Sequence, residues 1–505
     1  MGEPFYITTA ISYPNGRPHI GHAYEAIATD AVARFHRLSG RDVFFLTGTD
    51  EHGLKMAQAA RARNIEPQIL ADEMSSHFRE MNDRLNISYD RFIRTTEPEH
   101  HDASQELWRR MEQAGDIYLG RYEGWYSVRD EAFYDEKELV AGGNGERLSP
   151  QGTAVEWTVE ESWFFRLSAY AERLLAHYDA HPDFIQPEGR RNEVVSFVRG
   201  GLADLSISRT SFDWGVPVPG SPGHVMYVWV DALTNYLTGV GFLDMSATYE
   251  RFWPAGLHVI GKDIVRFHAV YWPAFLLSAG LPLPDRVFGH GHLLERGQKM
   301  SKSLGNVLDP IALAERYGVD QLRYFLLREV SFGQDGSYSD EAIVTRCNAD
   351  LANGLGNLAQ RCLTMIAKQC GGRVPEPGLA HDQLGLVGFA PRVAEQMESL
   401  ALHRALEVVW DGVALANRYF ADMAPWSLRK EDPAMANGVL YRTAEAVRIL
   451  AILARWAIPA SADALLDQLD QPTEARDFAA LDHPLAPGTQ LPAPSGVFPR
   501  WVEPS

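Results

Sequence analysis

The chain has 505 residues, too many for one ordinary core, and that length implies about three domains. With 46% hydrophobic and 22% charged residues it is ordinary globular material; no run reaches the roughly 18 apolar residues of a membrane span, and Met1-Gly2-Glu3-Pro4 lacks the basic start of a secretory leader. The formal charge of −19 speaks to solubility and steering only, so it neither supports nor excludes a nucleic-acid partner, which needs just a local basic face.

Residues Phe5 to Ile11 alternate and run into Ser12-Tyr13-Pro14-Asn15-Gly16, a strand followed by turn chemistry. After Pro18, apolar residues at Ile20, Tyr24, Ile27, Ala31, Phe35 and Leu38 predict an amphipathic helix closed by Gly40. Asp42 to Thr49 is nearly continuous apolar sequence, as expected of a buried parallel strand. Strand, helix, strand opens a doubly wound sheet. His19-Ile20-Gly21-His22 then falls at a helix N-terminus, where free N–H groups and the dipole favour an anion. Gly21 would let a nucleotide come close and the imidazoles would add donors. The absence of G-x-G-x-x-G argues against a dinucleotide. Asp50, just after the second strand, is placed to hold a substrate ammonium, a helix N-cap being the alternative reading.

From about Arg110 to Val218 aromatic residues crowd a stretch of short strands, an inserted subdomain without a single cysteine. Structural zinc needs thiolates in close pairs, so none is expected; His177 and His181 read as ordinary surface or core residues. The sheet resumes at Val225–Ala232, read as a strand or a strand-to-helix junction, and at His258–Ile264, where Lys262 and Asp263 suit ATP ribose or phosphate, with a salt-bridged turn as the plain alternative. The next helix carries Phe267, His268, Tyr271 and Trp272. Gly297-Gln298-Lys299-Met300-Ser301-Lys302-Ser303-Leu304-Gly305-Asn306 is a cationic, hydrogen-bonding, glycine-flanked loop suited to a polyphosphate.

After Pro310 the pattern is helical, including Cys347 to Lys368 and, past the linker Gly371–Gly378, about Ala390 to Ile458: a bundle. Arg404 to Arg455 carries seven Lys/Arg against six Asp/Glu, more basic than the chain as a whole. The Pro-rich, acidic last 45 residues are assigned to packing or disorder. Three cysteines, Cys347, Cys362 and Cys370, without a C-x-x-C pair fit a reducing cytoplasm.

The strings His19-Ile20-Gly21-His22 and Lys299-Met300-Ser301-Lys302-Ser303 resemble the two signatures of class I aminoacyl-tRNA synthetases. Ser12–Gly16, Gly48–Gly53, Tyr227–Ala232, Gly261–Ile264 and Ala424-Pro425-Trp426 extend the resemblance to the methionyl-tRNA synthetase family over essentially the whole length. The resemblance implies an α/β architecture: a Rossmann-type doubly wound parallel sheet (residues 1–110 and 221–297) with an inserted connective subdomain (111–220). The K-M-S-K-S loop and stem-contact region (298–345), an α-helical anticodon-binding bundle (346–470) and a C-terminal tail (471–505) would follow.

By matched position it implies that Ile11, Tyr13, Trp229, Ala232, Tyr236, Ile264 and His268 line a methionine pocket closed by Trp272, with Asp50 on the amine. His19, Gly21, His22, Lys262, Asp263, Lys299 and Lys302 would address ATP and its Mg²⁺, with His19, His22 and Lys302 catalytic. Asn357, Arg361 and Trp426 would read the anticodon of initiator and elongator tRNA(Met). A cytoplasmic monomer is expected. The rival reading is a nucleotidyltransferase of the same fold that forms an adenylate without tRNA.

Overall fold

The computed structural model describes residues 2–127, 129, 132–295, 298, 299, 307–378 and 384–502. At its centre is a six-stranded sheet, in spatial order Arg91–Arg94, Asp42–Thr49, Pro4–Thr9, Leu257–Gly261, Val287–His290 and Ile185–Gln186, every pair parallel. Ile7 lies between Phe45 on one side and Leu257 on the other. Both faces are covered, so the strands carry few polar residues. The order reverses between Pro4–Thr9 and Leu257–Gly261, the crevice where open α/β sheets bind ligands.

The Val225–Ala232 run divides: Val225–Met226 is a two-residue strand, and Val228–Thr238 is a helix. Every residue from Val228 to Thr238 except Trp229 is buried, including the polar stripe Asp231, Thr234, Asn235 and Thr238 at helical spacing, so this helix has almost no solvent-facing side to mark it.

The inserted subdomain is built on one long antiparallel pair, Ile117–Ser127 with Glu156–Phe165, flanked by Ala132–Tyr134 and Leu205–Ser206. Near its tip the buried hydroxyls of Ser127, Thr153 and Ser149 hydrogen-bond in a chain, at 2.6 and 2.8 Å. Among the described residues no three His, Cys, Asp or Glu side chains cluster as a metal site.

Leu293–Glu295 pairs antiparallel with Gln298–Lys299 and parallel with Gly336–Tyr338, which anchors the backbone at Lys299. Gly297 and Met300–Asn306, including Lys302, lie outside the described residues. The Cys347–Lys368 helix is two pieces, a π-helical Cys347–Gly356 and an α-helical Asn357–Gln369. Side chains from the Leu402–Met423 helix bond carbonyls of the π stretch: Trp410 Nε1–H donates to Asp350 O at 3.0 Å and Asn417 Nδ2–H to Gly354 O at 3.3 Å.

Much of the basic charge counted in the bundle is internal. Arg448 is fully buried, bonded to Glu445 and to the Ala480 and Leu481 carbonyls, and Arg455 pairs with Asp463. The C-terminal segment packs: Leu481, Leu485, Leu491 and Phe498 join the main hydrophobic core, and Trp501 exchanges two hydrogen bonds with Asn348.

Candidate active site

The Ile20–Leu38 helix is capped by its own histidines. His19 is extended (φ −128°, ψ 172°); its Nδ1 accepts the Gly21 N–H, and His22 Nδ1 accepts the His19 N–H, both at 3.1 Å. The rings stack at 3.8 Å. An Nδ1 that accepts carries a lone pair, so in each neutral ring the proton sits on Nε2. Two N–H donors therefore stand at the positive end of a 19-residue helix. A Cβ on Gly21 would lie 2.9 Å from His19 Cε1, so the glycine is needed by the cap itself as well as by any close ligand.

In the segment that leads into this helix, a cavity of about 300 Å³ opens at the end of the first strand. Ile11, Tyr13, Asp50, Trp229, Ala232, Tyr236, Ile264 and His268 line it, together with Asn15, Lys55, Leu233 and Asn235, which the sequence did not single out. Trp272 is not in the lining. It is fully buried behind Tyr236, with ring centroids 6.0 Å apart, and edge-on to Trp253. Trp229 stacks flat on Phe267 at 3.8 Å.

His268 sits in a π-helical turn, Phe267–Tyr271. Its Nδ1 faces the Ile264 carbonyl at 3.0 Å and its Nε2 faces the Tyr236 hydroxyl at 2.7 Å. A carbonyl can only accept, so Nδ1–H donates to it, and in the neutral ring Nε2 accepts the Tyr236 O–H. Burial pushes His268 down to about 4 and pushes the Tyr236 phenol up, so both are neutral at pH 7. The wall is aromatic and uncharged.

The second strand ends in a tightly held segment. Asp50 N–H donates to Ser12 O at 2.9 Å, and Glu51 is buried with its carboxylate on Arg94. The N-cap of the following Leu54–Ala62 helix is Gly53, at φ +104°, which rules out the capping alternative for Asp50. At the end of the Leu257–Gly261 strand, Lys262 Nζ pairs with both Asp335 oxygens at 2.7 and 2.8 Å, and Asp263 with His292 at 2.6 Å. The salt-bridged turn is thus present, and an ATP contact by Lys262 would have to compete with Asp335. Sequence reasoning did not single out Glu25, on the capped helix itself, whose carboxylate meets His290 Nε2 at 2.8 Å.

In the bundle, Arg361 lies over the Phe420 ring at 5.0 Å and the Trp426 ring at 5.1 Å. Ala424, at φ +42°, ends one helix, and Pro425 starts the next, leaving Trp426 44% exposed. Asn357, one helical turn before Arg361, is exposed on the same helix.

A sheet with its switch-point crevice, a histidine-capped helix start and an α-helical bundle define a class I synthetase, and the family described as tRNA synthetases class I (M) matches residues 5–363. Residues 388–503 match the anticodon binding domain of methionyl tRNA ligase. The chain belongs to the methionine–tRNA ligase family. It is 61% identical to the methionine–tRNA ligase of Mycobacterium bovis, over 99% of both chains. It is equally identical to that of Brucella suis biovar 1, over 99% of this chain and 98% of the relative. The solved Mycobacterium tuberculosis methionyl-tRNA synthetase in complex with methionyl-adenylate superposes with a TM-score of 0.96 at 61% identity, covering 99% of this chain and 100% of that one.

Proposed function

We propose that the chain activates L-methionine with ATP to methionyl-adenylate and transfers the methionyl group to the 3′-terminal adenosine of tRNA(Met), initiator and elongator alike. The observation that carries this reading is the cavity at the approach to the His19–His22 cap, whose lining combines an uncharged aromatic wall with Asp50 and Lys55. A thioether is polarisable and uncharged, which suits such a wall. Asp50 receives the ammonium, and Ile11, Tyr13, Trp229, Ala232, Tyr236, Ile264 and His268 surround the side chain, with Trp272 supporting Tyr236 from behind.

The attacking carboxylate is already ionised near neutral pH, so no general base is required. The demand is electrostatic: charge moves onto the α,β-bridging oxygen as the phosphoryl group transfers. The Nε2–H groups of His19 and His22 meet the phosphates on one side, and Lys302, with Lys299, meets them on the other. Gly21 leaves the helix start open, and Lys262 and Asp263 border the ribose. Mg²⁺ would come with ATP, because its hard oxygen donors are supplied by phosphates and water. Asn357, Arg361 and Trp426 offer a stacking and hydrogen-bonding surface for anticodon bases. The protein acts as a monomer in the cytoplasm, where its three free thiols stay reduced.

Amino-acid-dependent pyrophosphate exchange across the standard set tests the first step, with methionine alone expected to support it at physiological concentration. Charging of tRNA(Met) tests the second. Exchange without charging would favour the adenylate-forming transferase instead.

A further inference from the structure

Asp231 is fully buried one residue from Ala232 in the wall of the cavity, yet it does not line the cavity. Its two oxygens face two imidazoles from distant parts of the chain: Oδ2 lies 2.7 Å from His52 Nδ1 and Oδ1 lies 2.7 Å from His100 Nε2. His52 and His100 are themselves buried. Burial works against the carboxylate, but the imidazoles outweigh it and hold Asp231 below the ordinary carboxylate range. Its place in the first turn of the Val228–Thr238 helix also favours the anion.

His52 belongs to the segment that carries Asp50. That segment is fixed residue by residue: Asp50 N–H on Ser12 O, Glu51 N–H on Thr95 Oγ1, Trp214 Nε1–H on Glu51 O and Gly53 N–H on Trp214 O. None of those bonds reaches the helix bearing Trp229, Ala232 and Tyr236. The His52–Asp231 bond does, and so ties the carboxylate end of the site to its aromatic wall.

We propose that Asp231 is a positioning residue for amino-acid selection: through His52 it sets the distance between the Asp50 carboxylate and the aromatic wall. A substrate then fits only when its ammonium and its side chain are correctly separated. A misplacement of this kind weakens binding of the amino acid without touching ATP. The inference rests on the reading that Asp50 receives the ammonium.

The test uses the full-length enzyme in pyrophosphate exchange, with methionine and ATP varied separately, and the des-amino analogue of methionine as a competitor. His52→Leu removes the donor, whereas His52→Asn keeps an N–H near the Nδ1 position. His52→Leu and Asp231→Asn are expected to raise the methionine KM about tenfold or more, keep the ATP KM within about twofold, and narrow the preference for methionine over its des-amino analogue. His52→Asn is expected to restore most of that preference. Because the His52 pair leaves Asp231 in place, the comparison survives a misfolded Asp231→Asn. An unchanged preference in His52→Leu, or equal changes in both KM values, overturns the proposal. Asp50→Asn separates the two readings: if it leaves the preference intact, the ammonium assignment fails, and if it abolishes the preference while His52→Leu does not, only the role of Asp231 fails.

Discussion

The Asp30 carboxylate and the Arg323 guanidinium meet at 2.6 Å with neither side chain exposed. Asp30 lies on the helix capped by His19 and His22, and Arg323 also donates to Ala457 O and Leu85 O, so this pair joins the catalytic sheet to the helical bundle. Asp30→Asn leaves the buried Arg323 without its carboxylate, which costs about 3–5 kcal/mol, whereas without Arg323 the Asp30 carboxylate still keeps Arg34 at 2.7 Å and the two Ser88 donors. Asp30→Asn should destabilise by about that much and Arg323→Met by less, and the double variant by clearly less than their sum. Urea unfolding followed by tryptophan fluorescence measures all three.

The histidine cap separates stability from chemistry. Asparagine is itself a good N-cap, so His19→Asn should cost under about 1 kcal/mol in stability while losing an Nε2–H donor and slowing adenylate formation by on the order of 10²-fold. Gly21→Ala should do both kinds of damage, because its Cβ would lie 2.9 Å from His19 Cε1. Thermal melts and pyrophosphate exchange distinguish the two variants.

Lys302→Ala should slow adenylate formation by on the order of 10²–10³-fold, by analogy with loss of a single oxyanion donor. Unaltered exchange kinetics would remove Lys302 from the reaction.

His268 makes a signed prediction in pH. Burial lowers it to about 4, while in the unfolded chain it titrates near its usual value of about 6.5. Between those values the unfolded state binds more protons, so stability rises with pH through that window and is lost as pH falls toward 4, by up to ~3 kcal/mol. Urea midpoints from pH 4 to 7 should show this slope, and His268→Gln should reduce it by one group's share, because burial also lowers His36 and His258 and they act in the same direction. The methionine KM should show no step from His268 near pH 6.5.

Trp426→Ala should lower kcat/KM for tRNA charging by on the order of 10-fold to 10²-fold, the worth of one stacked base, with methionine-dependent exchange unchanged. Equal loss of both activities would count against an anticodon role.

The opening strand, helix and strand are legible in the sequence because each is a local pattern: alternation, spacing by three or four, and a continuous apolar run. The Val225–Ala232 run is legible only as a strand or a strand-to-helix junction; the structure has the junction, and the polar stripe Asp231, Thr234, Asn235 and Thr238 of the Val228–Thr238 helix is itself buried. Asp231 is nevertheless a visible signal, one carboxylate inside the run Val228-Trp229-Val230-Asp231-Ala232, that pattern reading alone passes over. Resemblance names Trp272 as the aromatic that closes the pocket; the fold adds that it stands behind Tyr236.

What the sequence determined by itself was the chemistry that short strings can hold: the helix-start histidines, the lysine-rich loop, the strand-end aspartate and the family they mark. The tertiary structure alone decided partnership. Asp231 finds His52 and His100 across 179 and 131 residues, and Asp30 finds Arg323 across 293. Such long-range pairs leave no local trace, because packing brings the partner to the buried charge from elsewhere in the chain; Arg34, four residues on from Asp30 in the same helix, is the partner that local spacing does show.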